Sequence, residues 1–211
     1  LHILLISIHG LIRGGNLELG RDADTGGQIK YVLELTRALA QQPEVAQVVL
    51  LTRRIDDAQI DDDYAQAVEE LGDNARIVRL DAGPPDYLPK ETLWDHLDTF
   101  TDNALTYLRT TDALPDLVHS HYADGGYVGS RLSAQLGVPL IHTGHSLGRV
   151  KRRRLLATGL DSTTIEQRYS MSRRIEAEEQ TLASAEPRPI SALSSMRLPS
   201  SMASSRCNCF R

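Results

Sequence analysis

The chain has 211 residues, 41% hydrophobic, 24% charged and 5% aromatic, which is long enough for one domain with a complete core. Its 23 basic against 28 acidic side chains leave a net charge of -5, which argues against a nucleic-acid or anionic-membrane partner held by bulk charge. No apolar run approaches the ~18 residues of a membrane span, no signal-peptide pattern follows the short apolar start, and Cys207 and Cys209 offer neither a disulfide framework nor a CxxC metal site, so the reading is of a soluble, cytoplasmic globular protein.

In chain order, residues 2–8 are apolar at nearly every position, as a strand buried on both faces requires. A polar, glycine-dense loop spans 9–26. Residues 27–42 then place Ile29, Val32, Leu35 and Leu39 at the spacing of a core-facing helix, which Pro43 ends. Residues 45–52 form a second strand. The three aspartates at 61–63 open a short polar helix to about residue 71, and 75–80 is a third strand. A long helix is predicted over 90–108, a fourth strand over 116–120, a helix over 126–136, a fifth strand over 138–143 and a last helix over 164–185. Strands alternate with helices, so the fold class is α/β, a Rossmann-like open parallel β-sheet flanked by helices. In such sheets ligands bind beyond the carboxyl ends of the strands. The segments 9–28, 119–126 and 143–149 should therefore converge.

Residues 187–211 do not match the rest. They hold four arginines, seven serines, three prolines, both cysteines and no acid, so the body alone carries 19 basic against 28 acidic residues. Such a segment buries too little apolar surface to offset its ordering entropy. It reads either as a flexible basic tail or as residues never selected for this fold, as after a shifted reading frame; the second reading is preferred. The domain is expected over 1–186. Leu1 begins a strand at once, so the start also reads as clipped.

Three groups of residues at the expected edge carry chemistry. Asp24-Thr-Gly-Gly-Gln28 precedes the first helix, where Gly27 and its neighbour let a ligand approach and free N–H groups attract an anion, with Gln28 as a side-chain donor. The same glycines would also serve a tight turn. No G-x-G-x-x-G and no P-loop lysine is present, which argues against nicotinamide and P-loop chemistry here. His119, His121, His142 and His145 are four of the seven histidines. No acid or cysteine completes a zinc set at ligand spacing, so no metal is expected; they hydrogen-bond a hydroxylated ligand or are satisfied locally. Lys90, Lys151 and Arg174 follow the crevice edge, with Arg173 beside them, whereas Arg152, Arg153 and Arg154 read as a solvated face. Glycine amides with converging Lys and Arg suit a small phosphorylated anion.

Gly10-Leu-Ile-Arg-Gly-Gly-Asn-Leu-Glu-Leu-Gly20, Asp24-Thr-Gly-Gly-Gln28, Gly144-His-Ser-Leu-Gly-Arg149 and Arg173-Arg-Ile-Glu-Ala-Glu-Glu179 together closely resemble the sucrose-phosphate synthases, retaining glycosyltransferases of two facing Rossmann-like domains (the GT-B fold). Four separated motifs in order cover essentially residues 1–186. Sucrose synthase fits less well, because neither the Gly-His-Ser-Leu-Gly segment nor the Arg-Arg-Ile-Glu-Ala-Glu-Glu segment is expected there. The resemblance implies the N-terminal, acceptor-binding domain of an enzyme that moves glucose from UDP-glucose to fructose 6-phosphate, with no bound cofactor. It places Gly27 and Gln28 facing the reacting sugars and Lys90 on the acceptor. His145 then lies beside the transferred glucose, and Lys151, Arg174 and Arg173 meet the fructose phosphate. The E-x7-E donor motif and its basic pair have no counterpart, so the C-terminal donor domain is missing and the chain is expected to be inactive alone. A phosphosugar-binding module without catalysis, or a GT-B enzyme with another acceptor, are the alternatives. A domain built to face a partner should also keep apolar patches and self-associate.

Overall fold

The structure is a computed structural model that describes residues 1–111 and 114–185; the expectations made for the tail lie outside the described residues. Among the described residues, six strands form one sheet: β1 (His2–Ile6), β2 (Gln47–Arg53), β3 (Val68–Glu70), β4 (Ala75–Leu80), β5 (Leu117–His121) and β6 (Leu140–Thr143). Their spatial order is β3-β4-β2-β1-β5-β6, all parallel except β3. Six α-helices accompany them: α1 (Gly27–Ala40), α2 (Leu97–Thr110), α3 (Tyr122–Leu136), α4 (Gly148–Ala157), α5 (Ser162–Tyr169) and α6 (Met171–Ser184).

The unbroken apolar run of β1 is explained by two cores. Ile3 and Leu5 pack with Ile29, Val32 and Leu33 of α1 on one face. Leu4 and Ile6 pack with Phe100, Ala104 and Leu108 of α2 and Val128 and Leu132 of α3 on the other. Alternate side chains of a strand point to opposite faces, so a central strand covered on both sides has no polar position to spare. Glycine lets α3 sit tight on this sheet: a Cβ at Gly129 would lie 2.7 Å from the Cβ of Ser120, and one at Gly125 would lie 2.8 Å from the carbonyl oxygen of Ile6.

Four expected elements differ from the sequence-based expectation, and α4 forms where no element was expected. The helix expected over 61–71 is only a 3-10 turn, Asp62–Ala65, capped by the Asp61 side chain accepting from the Asp63 N–H at 3.0 Å. The chain then pairs antiparallel with β4 as β3, because Glu69 is drawn inward by the buried Arg79, 2.5 Å from Nη2, and by the Gly14 N–H at 2.7 Å. The long helix at 90–108 begins as a 3-10 stretch, Lys90–His96, before α2. α3 springs from β5 four residues earlier than expected. The last helix is two, broken at Ser170, whose backbone is left-handed (φ 45°, ψ 45°). The cationic run from Arg149 to Arg154 falls within α4, with Arg152, Arg153 and Arg154 exposed as expected.

Candidate functional site

In this strand order the connections diverge between β1 and β5, opening a crevice at their carboxyl ends. Four buried groups sit there. The His9 Nδ1–H donates to Asp124 Oδ2 at 2.7 Å, and Asp124 Oδ1 accepts from the Gly125 N–H at 2.6 Å. Burial alone would push the His9 imidazole down, but the charge and hydrogen bond of Asp124 outweigh it and hold it above its ordinary value. Its ring meets Tyr122 edge-on, centroids 4.6 Å apart. Tyr122 has a positive φ of 63°, and its phenol is pushed up to about 12 by burial. The guanidinium of Arg174 lies over the Tyr122 ring, 4.6 Å from its centre.

The four imidazoles after β5 and β6 form one cluster. His119 Nε2 is 2.9 Å from Thr143 Oγ1, and His142 Nδ1 is 2.9 Å from Ser120 Oγ, so these two are satisfied locally. His121 Nδ1 is 3.1 Å from His145 Nε2, while His121 Nε2 is buried with no partner among the described residues. Burial, then mutual repulsion, lowers His119 and His142 to about 4 and His121 to about 2; His145 is lowered by burial and by His9. All four are neutral near pH 7, able to hydrogen-bond but not to supply a charge. Among the described residues no three or more His, Cys, Asp or Glu side chains have metal-holding geometry.

His145 is held from behind by α6. Arg174 is 3% exposed; its Nε donates to Glu178 Oε1 at 2.8 Å, and its Nη2 donates to the carbonyl and hydroxyl oxygens of Ser146, both at 2.9 Å. The second oxygen of Glu178 accepts from the Gly148 N–H at 2.7 Å, where α4 begins. Glycine at 148 leaves room for the clamp: a Cβ there would lie 2.9 Å from Ile175 Cγ1 and 3.1 Å from Glu178 Oε2, and those side chains would have to shift. The turn over Gly144 and Ser146 is thus clamped, and His145 between them takes a positive φ of 52°.

A cavity of about 320 Å³ lies to one side of this clamp, between the loop before α1, the 3-10 stretch at Lys90 and the ends of α4 and α5. Lys90 pairs through Nζ with Asp24, whose other oxygen accepts from the Lys90 backbone N–H at 2.8 Å, and with Glu91 at 3.4 Å. Lys151 has no carboxylate partner among the described residues; its Nζ rests 4.0 Å above the centre of the Tyr169 ring. Burial, then Lys90 and Arg174, lowers Lys151 from the usual lysine value. A second hollow of about 600 Å³ is lined by His145, Ser146 and Lys151, so Lys151 stands in the wall shared by the two.

The structure therefore gathers Lys90, Lys151, His145 and Arg174, with Arg174 largely committed to its own neighbours. Gly27 and Gln28 sit at the same sheet edge, where α1 starts on Gly26 with no side-chain cap and no acid in its first turn. Gln28 Nε2 donates to Ser7 Oγ at 3.3 Å, and it is Asp24, from the same loop, that lines the cavity. Arg173 is not brought to the cavity. Consecutive helical residues point about 100° apart, and Arg173 donates instead to Asp95 at 2.6 Å and the Trp94 carbonyl at 2.9 Å, lining a separate hollow. The sequence reading missed His9, Asp124, Glu178, Arg168 and Tyr169; Glu178 four residues after Arg174 on one helix was the signal that could have been used.

No helix among the described residues is long and apolar enough to cross a membrane. Comparison with known proteins matches residues 1–187 to the family described as sucrose synthase first GT-B domain. The chain is 45% identical over 208 residues to sucrose-phosphate synthase 4 of Arabidopsis thaliana and 44% identical over 212 residues to sucrose-phosphate synthase of Zea mays. Each alignment covers 88% of this chain and 20% of that protein, so the chain spans about a fifth of the length of these relatives. Among solved structures, sucrose-phosphate synthase of Thermosynechococcus elongatus superposes with a TM-score of 0.63 at 29% identity, over 85% of this chain and 39% of that one. The Rossmann-like sheet and these matches agree: the chain belongs to the family of sucrose synthase first GT-B domains, with sucrose-phosphate synthases as its matched relatives.

Proposed function

We propose that this chain is the acceptor-binding part of a sucrose-phosphate synthase, holding fructose 6-phosphate for glucosyl transfer from UDP-glucose, and that it is inactive without a donor-binding domain. The observation that carries this is Lys151: a half-buried ammonium with no carboxylate partner among the described residues, crowded by two other cations, in the wall between two hollows. A phosphoryl dianion on its cavity side relieves that repulsion, and a hexose ring on the other side lies against His145. Arg174 offers the phosphate its remaining Nη1, while its other nitrogens keep the Ser146 turn in place. Gln28 and the free amides at Gly27 face the sugars from α1. The neutral His145 stabilises charge as the glycosidic bond breaks through its dipole and its clamped backbone, which needs no rearrangement during reaction. Donor and acceptor must be held in line, so without the nucleotide-sugar site most of the rate is lost. Leu147 and Val150, at the start of α4, are exposed in the lining of the larger hollow, and Leu156 is exposed further along the helix, as a surface facing another domain would be.

Calorimetry tests the reading. Fructose 6-phosphate is expected to bind in the micromolar range, fructose and glucose 6-phosphate more weakly, and Lys151→Ala to weaken fructose 6-phosphate at least tenfold. Purified chain supplied with UDP-glucose should form no sucrose 6-phosphate. Fructose binding as tightly as its phosphate, or turnover by the chain alone, would overturn it.

A further inference from the structure

The two free cations of the smaller cavity come from different helices, and one of them is Arg168, in the last turn of α5. Its side chain is exposed and has no carboxylate partner among the described residues. The charges around the cavity make it decisive. The lining carries three carboxylates, Asp22, Asp24 and Glu91, against three cations, Lys90, Lys151 and Arg168. Lys90 is already engaged by Asp24 and Glu91. Without Arg168 the cavity would be net negative and would repel a dianion; with it, two unpaired cations face the same space. Tyr169, the next residue, carries Lys151 on its ring, so the end of α5 supplies one cation and seats the other. The left-handed turn at Ser170 ends α5 there and lets α6 depart with Arg174 toward the buried clamp.

We infer that Arg168 is a specificity-determining residue, whose guanidinium grips the phosphoryl group and makes this cavity choose a phosphorylated over an unphosphorylated hexose. The inference rests on the phosphate-acceptor reading above and adds a residue to it. A guanidinium matches two phosphate oxygens with parallel N–H donors, which an ammonium cannot do.

Calorimetry on the whole chain, with inorganic phosphate, fructose 6-phosphate and fructose as probes, tests it, with unfolding measured in parallel. Arg168→Ala is expected to weaken phosphate and fructose 6-phosphate about tenfold while leaving fructose unchanged. Arg168→Lys should recover only part of the loss. Because Arg168 is exposed, neither change should lower the unfolding midpoint. A role confined to the α5 dipole gives the opposite result, a lower midpoint with unchanged phosphate affinity, and overturns the inference. If Lys151→Ala abolishes phosphate binding and Arg168→Ala does not, the acceptor reading stands and Arg168 has no part in it. If the unaltered chain binds none of the phosphorylated probes, both fall.

Discussion

Two sides of one sheet edge are built on opposite terms. On the side of α6 and β5, the titratable groups are buried and paired: His9 with Asp124, and Arg174 with Glu178 and Ser146. On the side of α1 and α5, Lys151 and Arg168 stand around an open cavity, and among the described residues neither forms an ion pair with the carboxylates that line it. Groups that complete one another inside the protein set geometry; groups left incomplete await something from outside. Charge alone did not separate the two sides, since Arg173, Arg174, Lys151 and Arg168 look alike in the sequence. Partners did.

The strongest way to break this division is Glu178→Gln. Removing that carboxylate strands the buried Arg174 charge and weakens the hold on the Gly148 N–H, and should cost about 3 kcal/mol in urea unfolding. Lys151→Ala, on the open side, serves as the control and should stay within about 0.5 kcal/mol. Equal losses in the two variants would erase the distinction.

Acid probes the paired side next. His119, His121 and His142 have folded values lowered to about 4, 2 and 4, so the unfolded chain takes up protons first as the pH falls. Their contribution is complete above about pH 6.5 and is lost from there toward pH 4 for His119 and His142 and toward pH 2 for His121, about 2 kcal/mol for each imidazole by pH 5. His9 acts in the other direction: its raised value stabilises the fold below about pH 6.5, and that contribution is lost as the pH rises through it. Three groups against one predict a melting temperature that drops between pH 7 and pH 5. His121→Asn should flatten the drop whatever it does to the absolute value; an unchanged slope would show that the imidazole cluster is not dry.

The smallest effect concerns the joint between the two sides. Ser170 holds a left-handed backbone that an L residue adopts at a cost of about 1 kcal/mol. Ser170→Gly removes that cost against the greater freedom of glycine in the unfolded chain, and should stabilise by about 0.5 kcal/mol, read from the urea midpoint. Destabilisation instead would mean that the Ser170 hydroxyl, 3.4 Å from the Glu91 carbonyl, matters more than the turn.

The sequence by itself determined the parallel sheet, because the unbroken apolar run from Ile3 to Ile6 in β1 requires both faces to be covered, and α1 announces its face through Ile29 and Val32. The segments that meet at the crevice followed from the same pattern, as did Lys90, Lys151 and His145. Tertiary structure decided the rest. β3 forms because buried Arg79 needs Glu69, a partner set by the fold and by no local periodicity. The last helix breaks at Ser170 although nothing in its spacing marks a stop. Whether a cation faces a hollow or a carboxylate depends on which side of a helix it leaves and on what already waits there, and that is why Arg173 lines a hollow of its own while Arg174, next to it in the chain, is buried against Glu178 and Ser146.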